Sequence, residues 1–210
     1  MTLTKLRQRL EQDRGALRAI RDSIASTESA LTSLRSEALD IEEGGLILTH
    51  VAQQTQAKVG IYLDDMVTAG TEAVFPNDTD YRFKADFIQR RGQTEVDLML
   101  ADAQGNRIKP SDQDGGGLVD VVAFLLRVAL WSLGRETRPV IILDEPFRNL
   151  HGRDDQQRAS ELIHELSVRL GLQFIIITGE DEGPELLAGA DRVIKVSKVR
   201  GVSQVKWEKK

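Results

Sequence analysis

Two adjacent carboxylates, Asp144 and Glu145, directly follow a short apolar run at 140–143. The run is mostly β-branched and stops abruptly at the acids, a pattern typical of a strand buried on both faces of a parallel sheet. Ligands of open α/β sheets bind at the carboxyl ends of the strands, where two acids can hold a metal ion and position a water molecule. An ordinary strand that ends in a solvated acidic turn would give the same pattern.

Three successive glycines, Gly115 to Gly117, precede a second apolar segment at 118–131. Glycines at the start of a helix leave its first N–H groups uncovered and let a phosphate approach closely. A flexible loop before a core helix is the alternative interpretation. Because glycine triplets are weak signals by themselves, the anion-site prediction depends on the neighbouring acids.

The segment 139–150 resembles the ABC-type ATPases of the SMC and SbcC-like class, which act in chromosome maintenance and double-strand-break repair. In that family an apolar strand ending in Asp-Glu is followed by a D-loop that carries Asn-Leu. The matching residues are Asp144, Glu145, Pro146, Asn149 and Leu150. The resemblance implies that Asp144 holds Mg²⁺, that Glu145 is catalytic, and that Asn149 and Leu150 belong to the D-loop.

The glycine run resembles the signature motif of the same family, a Ser-Gly-Gly placed before a helix. The resemblance implies that Asp114, Gly115, Gly116 and Gly117 contact the γ-phosphate of ATP held by an opposing head. Three residues depart from the family pattern. Asp114 stands where the serine is expected, Gly117 replaces an acid or amide, and Gly179 replaces a switch histidine.

A phosphate-binding loop requires the pattern G-x-x-x-x-G-K-[ST], because its lysine and backbone amides together hold the β- and γ-phosphates. None of the 17 glycines is followed by lysine. The resemblance therefore covers only the C-terminal half of an ATPase head, from about Tyr81 onward, together with a coiled-coil arm. Binding of ATP and Mg²⁺ is expected only if a partner polypeptide supplies the missing loop.

The N-terminal segment 1–43 carries a heptad pattern. Twelve positions between Leu3 and Ile41, spaced alternately by three and four residues, form the seam of this pattern, and ten of them are apolar. The pattern predicts a coiled-coil helix, either in cis or between chains. A single amphipathic helix lying on the domain is the alternative. Gly44 and Gly45 interrupt the pattern and give the proposed boundary of the second domain, 44–210. A further helical stretch is expected at about 46–69.

Beyond these helices the pattern predicts an α/β fold with a parallel core sheet. Strands 140–143 and 173–178, separated by a helix at 154–170, indicate a right-handed parallel crossover. Alternating segments around 90–93 and around Arg200-Gly201 predict two antiparallel hairpins. Together with the resemblance, the expected fold is an ABC-ATPase-like C-terminal half-head with flanking helices, an antiparallel element and an N-terminal coiled-coil helix.

The amino-acid composition limits the classes of protein to which the chain can belong. The chain is 40% hydrophobic and 29% charged, with a net charge of -5. Bulk charge therefore gives no support for nucleic-acid binding. The sequence contains no cysteine, which excludes disulfides and thiolate metal sites and fits a cytoplasmic protein. No membrane span or signal peptide is expected.

Two functions of different classes remain open. In the first, the chain completes an SMC/SbcC-like ATPase with a P-loop-bearing subunit, with DNA repair, recombination or chromosome handling implied only by the resemblance. In the second, it is a non-catalytic, degenerate lobe that acts as a coiled-coil dimerising scaffold or regulatory interaction protein. A metal-dependent nuclease or phosphatase is a weaker third possibility, because further metal ligands cannot be identified. The isolated chain is predicted to be inactive towards ATP.

Overall fold

The computed structural model of the chain describes most of its 210 residues. These are residues 3–76, 81–102, 104–108, 116–134, 137–179 and 183–208. The chain divides into two compact units, Met1–Thr55 and Gln56–Lys210. The assignment of 1–43 as a coiled-coil domain and 44–210 as a second domain stays a prediction.

Helix α1 spans Leu3–Val74 without a break and contributes to both units. The expected interruption at Gly44 and Gly45 is therefore wrong. Helical glycine is less favourable than alanine by only about 1 kcal/mol, which the turns on both sides of the pair can offset. Because no atom lies within 4 Å of either missing Cβ, no packing contact explains these glycines.

An antiparallel sheet in the second unit contains β1 (Arg82–Arg90), β2 (Gln93–Ala101) and β3 (Arg107–Ile108). The predicted turn between β1 and β2 is confirmed. Arg91 and Gly92 have φ values of 51° and 75°. Positive φ at both positions is typical of the two-residue turns that suit the twist of antiparallel hairpins.

The parallel pair consists of β4 (Val140–Asp144) and β5 (Gln173–Ile177), joined through α3 (Arg153–Leu170). Gly171 ends α3 in the left-handed conformation, with φ 62°, as is common for glycine after a helix. Helix α2 (Gly116–Gly134) supplies the centre of the core. Its buried apolar residues are Val121, Val122, Phe124, Leu125, Val128 and Ala129.

One face of the parallel pair is uncovered, contrary to the expectation of strands buried on both faces. Leu143 is 6% exposed and faces the core, whereas Ile142, Ile175 and Ile177 are 67%, 45% and 54% exposed. The register pairs Ile142 with Ile175 and Asp144 with Ile177, so these side chains share the outer face. We call this surface, formed by Ile142, Asp144, Ile175 and Ile177, the open face.

The last two strands, β6 (Val193–Val199) and β7 (Val202–Glu208), form the predicted antiparallel hairpin. Its turn residues Arg200 and Gly201 have φ values of 50° and 85°. The cross-strand pairs Ile194 with Trp207 and Val196 with Val205 place four exposed apolar side chains on one face.

Among the described residues, α2 is the one helix whose length and composition would allow it to cross a membrane. Six of its apolar residues are buried in the core of the second unit, among them Phe124 and Leu125, each 1% exposed, whereas Leu130 and Leu133 are exposed. Gly70 of α1 approaches so closely that a Cβ there would lie 2.4 Å from a Leu125 methyl group. Such core helices meet the same composition test as membrane spans.

Candidate functional site

The two carboxylates lie at the carboxyl end of β4, on an exposed edge of the parallel pair. Asp144 is exposed and shares the open face with Ile177. Glu145 extends the ladder, because its N–H donates to the Ile177 carbonyl at 2.9 Å. Its side chain is 42% exposed, and its Oε2 lies 3.8 Å from Nη1 of Arg148.

The backbone at Glu145 adopts an unusual conformation. Its φ of 44° lies in the left-handed region, which costs a non-glycine residue about 1 kcal/mol or more. The surrounding hydrogen bonds hold it there: Glu145 donates to Ile177, and the Arg148 N–H donates to the Glu145 carbonyl at 3.4 Å. The chain thus turns sharply at the second acid and leaves its carboxylate on the surface.

The turn after Glu145 is fixed at three further points. Phe147 is 1% exposed, and its ring centroid lies 5.2 Å from that of Phe124 on α2. The Leu150 N–H donates to the Phe147 carbonyl at 2.9 Å, and Leu150 is 2% exposed. The Asn149 N–H donates to an Asp120 carboxylate oxygen at 2.8 Å. The predicted D-loop residues therefore sit on a rigid support.

The start of α2 packs directly on this turn. A Cβ at Gly116 would lie 2.7 Å from the Asn149 Cβ, and one at Gly117 would lie 3.1 Å from the Asn149 carbonyl oxygen and from a Leu150 methyl. The glycines are thus explained by close backbone packing. Two of the predicted signature residues are brought together with the predicted D-loop, while Asp114 and Gly115 lie outside the described residues.

Replacing Gly116 with alanine is expected to lower the free energy of unfolding by about 1–3 kcal/mol, because the new methyl forces α2 away from Asn149. The control is Gly134→Ala, at the other end of α2, where nothing lies within 4 Å of the added Cβ. Urea denaturation of both variants measures the difference. Equal stability of the two would show that the turn yields to the methyl group without cost.

The predicted switch position follows the neighbouring strand, β5. Gly179 comes two residues after Ile177, whose carbonyl accepts the Glu145 N–H, so this position follows the strand that pairs with the acidic turn. As glycine it offers no side chain to a phosphate. The role of this position stays a prediction.

The donor set suits a magnesium ion that is shared with a phosphate ligand. Mg²⁺ is commonly held by one or two carboxylates, with the remaining positions filled by water and phosphate oxygens. Asp144 is an exposed carboxylate at the end of β4, and this fits such a role. Within the described ranges no cluster of three or more His, Asp or Glu side chains is placed to hold a metal by itself.

Two residues of the site were missed from the sequence. Asp120 accepts hydrogen bonds from both the backbone N–H and the side-chain amide of Asn149. Gln156, 5% exposed, donates from Nε2 to the Leu150 carbonyl at 2.6 Å. Asp120 could have been noticed as the one acid within an apolar helix, whereas Gln156 gives no signal in an ordinary amphipathic pattern.

Solved SMC head domains share this fold. One head bound to the C-winged helix domain of ScpA matches with TM-score 0.57 and 20% identity over 77% of this chain. A head from work on ATP-driven dimerisation and DNA-stimulated activation of SMC ATPases gives 0.54 and 21% over 76%. A Pyrococcus furiosus head with an extended coiled coil, bound to the C-terminal domain of ScpA, gives 0.55 and 21% over 70%.

No protein-family model and no curated protein matches the chain. The structural likeness establishes the fold: a mixed α/β lobe of the SMC-head type with a long N-terminal helix, a parallel pair and antiparallel sheets. The predicted fold class is confirmed. The chain spans 45%, 88% and 34% of the three solved chains, in the order given.

Proposed function

We propose that this chain is the C-terminal lobe of an SMC-like ATPase head, and that a separate polypeptide carrying a phosphate-binding loop completes its ATP site. The observation that carries the proposal is the open face, an apolar surface of β4 and β5 that ends in the carboxylate of Asp144. The proposed acid pair, Asp144 and Glu145, and the exposed apolar face thus lie at the same end of the parallel pair.

The open face requires a cover on physical grounds. Parallel strands occur almost only in sheets with both faces covered, and two strands alone are marginally stable. Here the core covers one face, and three isoleucines remain exposed on the other. A lobe that adds strands and a helix would bury these side chains and bring its own phosphate-binding loop beside Asp144.

In this proposal each of the two chains supplies part of the ATP site. Asp144 would hold Mg²⁺, which when bound neutralises charge on the phosphates of ATP. Glu145, on its sharp turn, would accept a hydrogen bond from the attacking water and orient it. Asn149, held by Asp120, would link this site to the start of α2, whose glycines would face ATP bound by an opposing head.

The biological setting is part of the proposal. The resemblance supports a cytoplasmic subunit in DNA repair, recombination or chromosome handling, of either the SMC or the SbcC type. Two of the solved heads bind domains of ScpA, so an accessory subunit is a reasonable further partner.

Reconstitution tests the proposal. Neighbouring open reading frames are searched for a P-loop-bearing protein, which is then mixed with the chain, and phosphate release from ATP is measured for each component and for the mixture. We expect no turnover by this chain alone and clear turnover by the mixture. A stable complex that neither binds nor hydrolyses ATP would overturn the catalytic assignment.

A non-catalytic lobe is the second candidate. The departures at Asp114, Gly117 and Gly179 favour it, because the serine and the switch histidine that contact phosphate in the resembled family are replaced by Asp114 and Gly179. A scaffold would assemble with its partner at the same affinity in the presence and absence of ATP. Binding calorimetry with and without a non-hydrolysable ATP analogue separates the two candidates.

A further inference from the structure

The first unit of the chain presents an unpartnered apolar seam. Its residues from 3 to 43 all lie on one helix and are all exposed. Nine large apolar side chains of the seam are 44–79% exposed, far more than a folded helix leaves uncovered on its inner face. They are Leu3, Leu6, Leu10, Leu17, Ile20, Ile24, Leu31, Leu34 and Ile41.

Charge is distributed unevenly along this seam. Residues 3–21 contain six basic and two acidic side chains, while 23–41 contain one basic and three acidic ones. One half is therefore positive and the other negative, with Asp22 at the centre. A helix of this kind is complementary to its own reverse, because an antiparallel copy sets each half against the half of opposite sign.

A parallel pairing of two copies meets like charges instead. It would place Asp13 opposite Asp13 inside the seam. It would also bring Arg9 of one helix beside Arg14 of the other, and Glu37 beside Glu42, at the positions that flank a parallel seam. Each of these contacts is repulsive, so charge opposes the parallel arrangement at both ends and in the core.

We propose that two copies of this chain associate through an antiparallel coiled coil of residues 3–41 centred on Asp22. In this register Arg9 flanks Glu37 of the second copy, and the helices separate before the glycine pair at 44–45. The least favourable contact of this register is the one between Asp13 and Leu31, because it places a carboxylate against an apolar side chain. The facing seam residues are Leu3 with Ile41, Leu6 with Ala38, Leu10 with Leu34, Asp13 with Leu31, Leu17 with Thr27, and Ile20 with Ile24.

The other flank of the antiparallel seam carries mixed pairs. Arg14 lies beside Glu28 of the second copy, whereas Arg7 lies beside Arg35, and the two copies of Arg21 meet at the centre. Counted over the whole dimer, this register has four attractive and three repulsive flanking pairs, whereas no flanking pair of the parallel arrangement is attractive. Apolar layers form in both arrangements, so the charges decide the orientation.

Cysteine crosslinking reads the orientation directly, because the chain has no natural cysteine. Full-length Leu6→Cys and Ala38→Cys are prepared separately, mixed without nucleotide and oxidised. The antiparallel register yields the mixed dimer of the two variants. Homodimers of either variant alone would indicate a parallel pair and overturn the proposal, as would a chain that remains monomeric at micromolar concentration.

Charge reversal gives a second readout. Arg9→Glu is expected to weaken the dimer roughly tenfold, because two attractive flanking pairs become repulsive. Adding Glu37→Arg should restore the affinity to within about twofold. In a parallel dimer Arg9→Glu would strengthen association by removing its contact with Arg14, so sedimentation equilibrium of the three proteins distinguishes the orientations.

The seam itself is tested with Leu17→Asp combined with Ile24→Asp. Burying two carboxylates near the centre should leave the protein monomeric in sedimentation. An unchanged mass would place self-association on another surface and overturn the proposal. Since none of these measurements involves ATP, their failure leaves the proposed ATPase function untouched, and failure of reconstitution leaves the coiled coil untouched.

Discussion

In the proposed two-chain head, Glu145→Gln should reduce ATP turnover at least a hundredfold, while the complex still forms and binds nucleotide. The substitution keeps the size and exposure of the side chain but removes its ability to take a proton from the attacking water. Such general-base contributions are typically on the order of 10²–10⁴ in rate. Phosphate release and binding of a fluorescent ATP analogue, measured on the same complex, separate turnover from binding.

Glu165→Gln is the matched control. Glu165 is an exposed glutamate of α3 that pairs with Arg169, and its side chain is 52% exposed against 42% for Glu145. Turnover should be unchanged in this control. If Glu145→Gln also keeps most of its turnover, the base lies elsewhere, and the left-handed turn at Glu145 has a structural role only.

Local signals account for the parts of the fold that the sequence predicts. Both hairpins were predicted from alternating segments around glycine-containing turns, where Arg91 and Arg200 adopt positive φ with a following glycine. The end of α3 follows from Gly171, because glycine takes the left-handed conformation without strain. Each of these features depends on a few neighbouring residues, so periodicity and turn chemistry are sufficient to predict it.

The burial of β4 could not be predicted in the same way. An apolar run indicates that a strand is to be buried, but it does not indicate which chain provides the cover. Leu143 and Ile142 are adjacent and equally apolar, yet one is 6% and the other 67% exposed. The sequence pattern predicts burial on both faces, whereas in the structure one face of the parallel pair packs on the core and the other is exposed.

The site illustrates the same limit. Asp144, Glu145 and Asn149 stand together in a short segment, so the sequence draws attention to them. Their supports do not: Asp120 reaches Asn149 across 29 residues, and Gly116 is required by a contact that only folding creates. From the sequence, Gly116 is predicted to let a phosphate approach the start of α2. In the structure, its missing side chain also lets α2 pack closely against Asn149.

Replacing Ile142 with glutamate and Ile175 with lysine should weaken association with the proposed P-loop-bearing partner at least a hundredfold. The two positions are directly opposite in the parallel register, so the new charges pair across the strands, and the free chain should keep its fold. Docking would bury both charges in place of two isoleucines, each of which contributes roughly 1–3 kcal/mol when covered. Titration calorimetry measures the affinity, and circular dichroism checks the fold.

Val168→Glu provides the comparison, since Val168 is 70% exposed on α3 and lies outside the open face. It adds a charge to an equally exposed apolar position and should leave the affinity within about twofold. Full affinity in the Ile142/Ile175 double variant would mean that the partner covers another surface, such as the apolar side of the hairpin β6 and β7. The ATP site would then have to be assembled without the open face. The partner would no longer be expected to place its phosphate-binding loop beside Asp144.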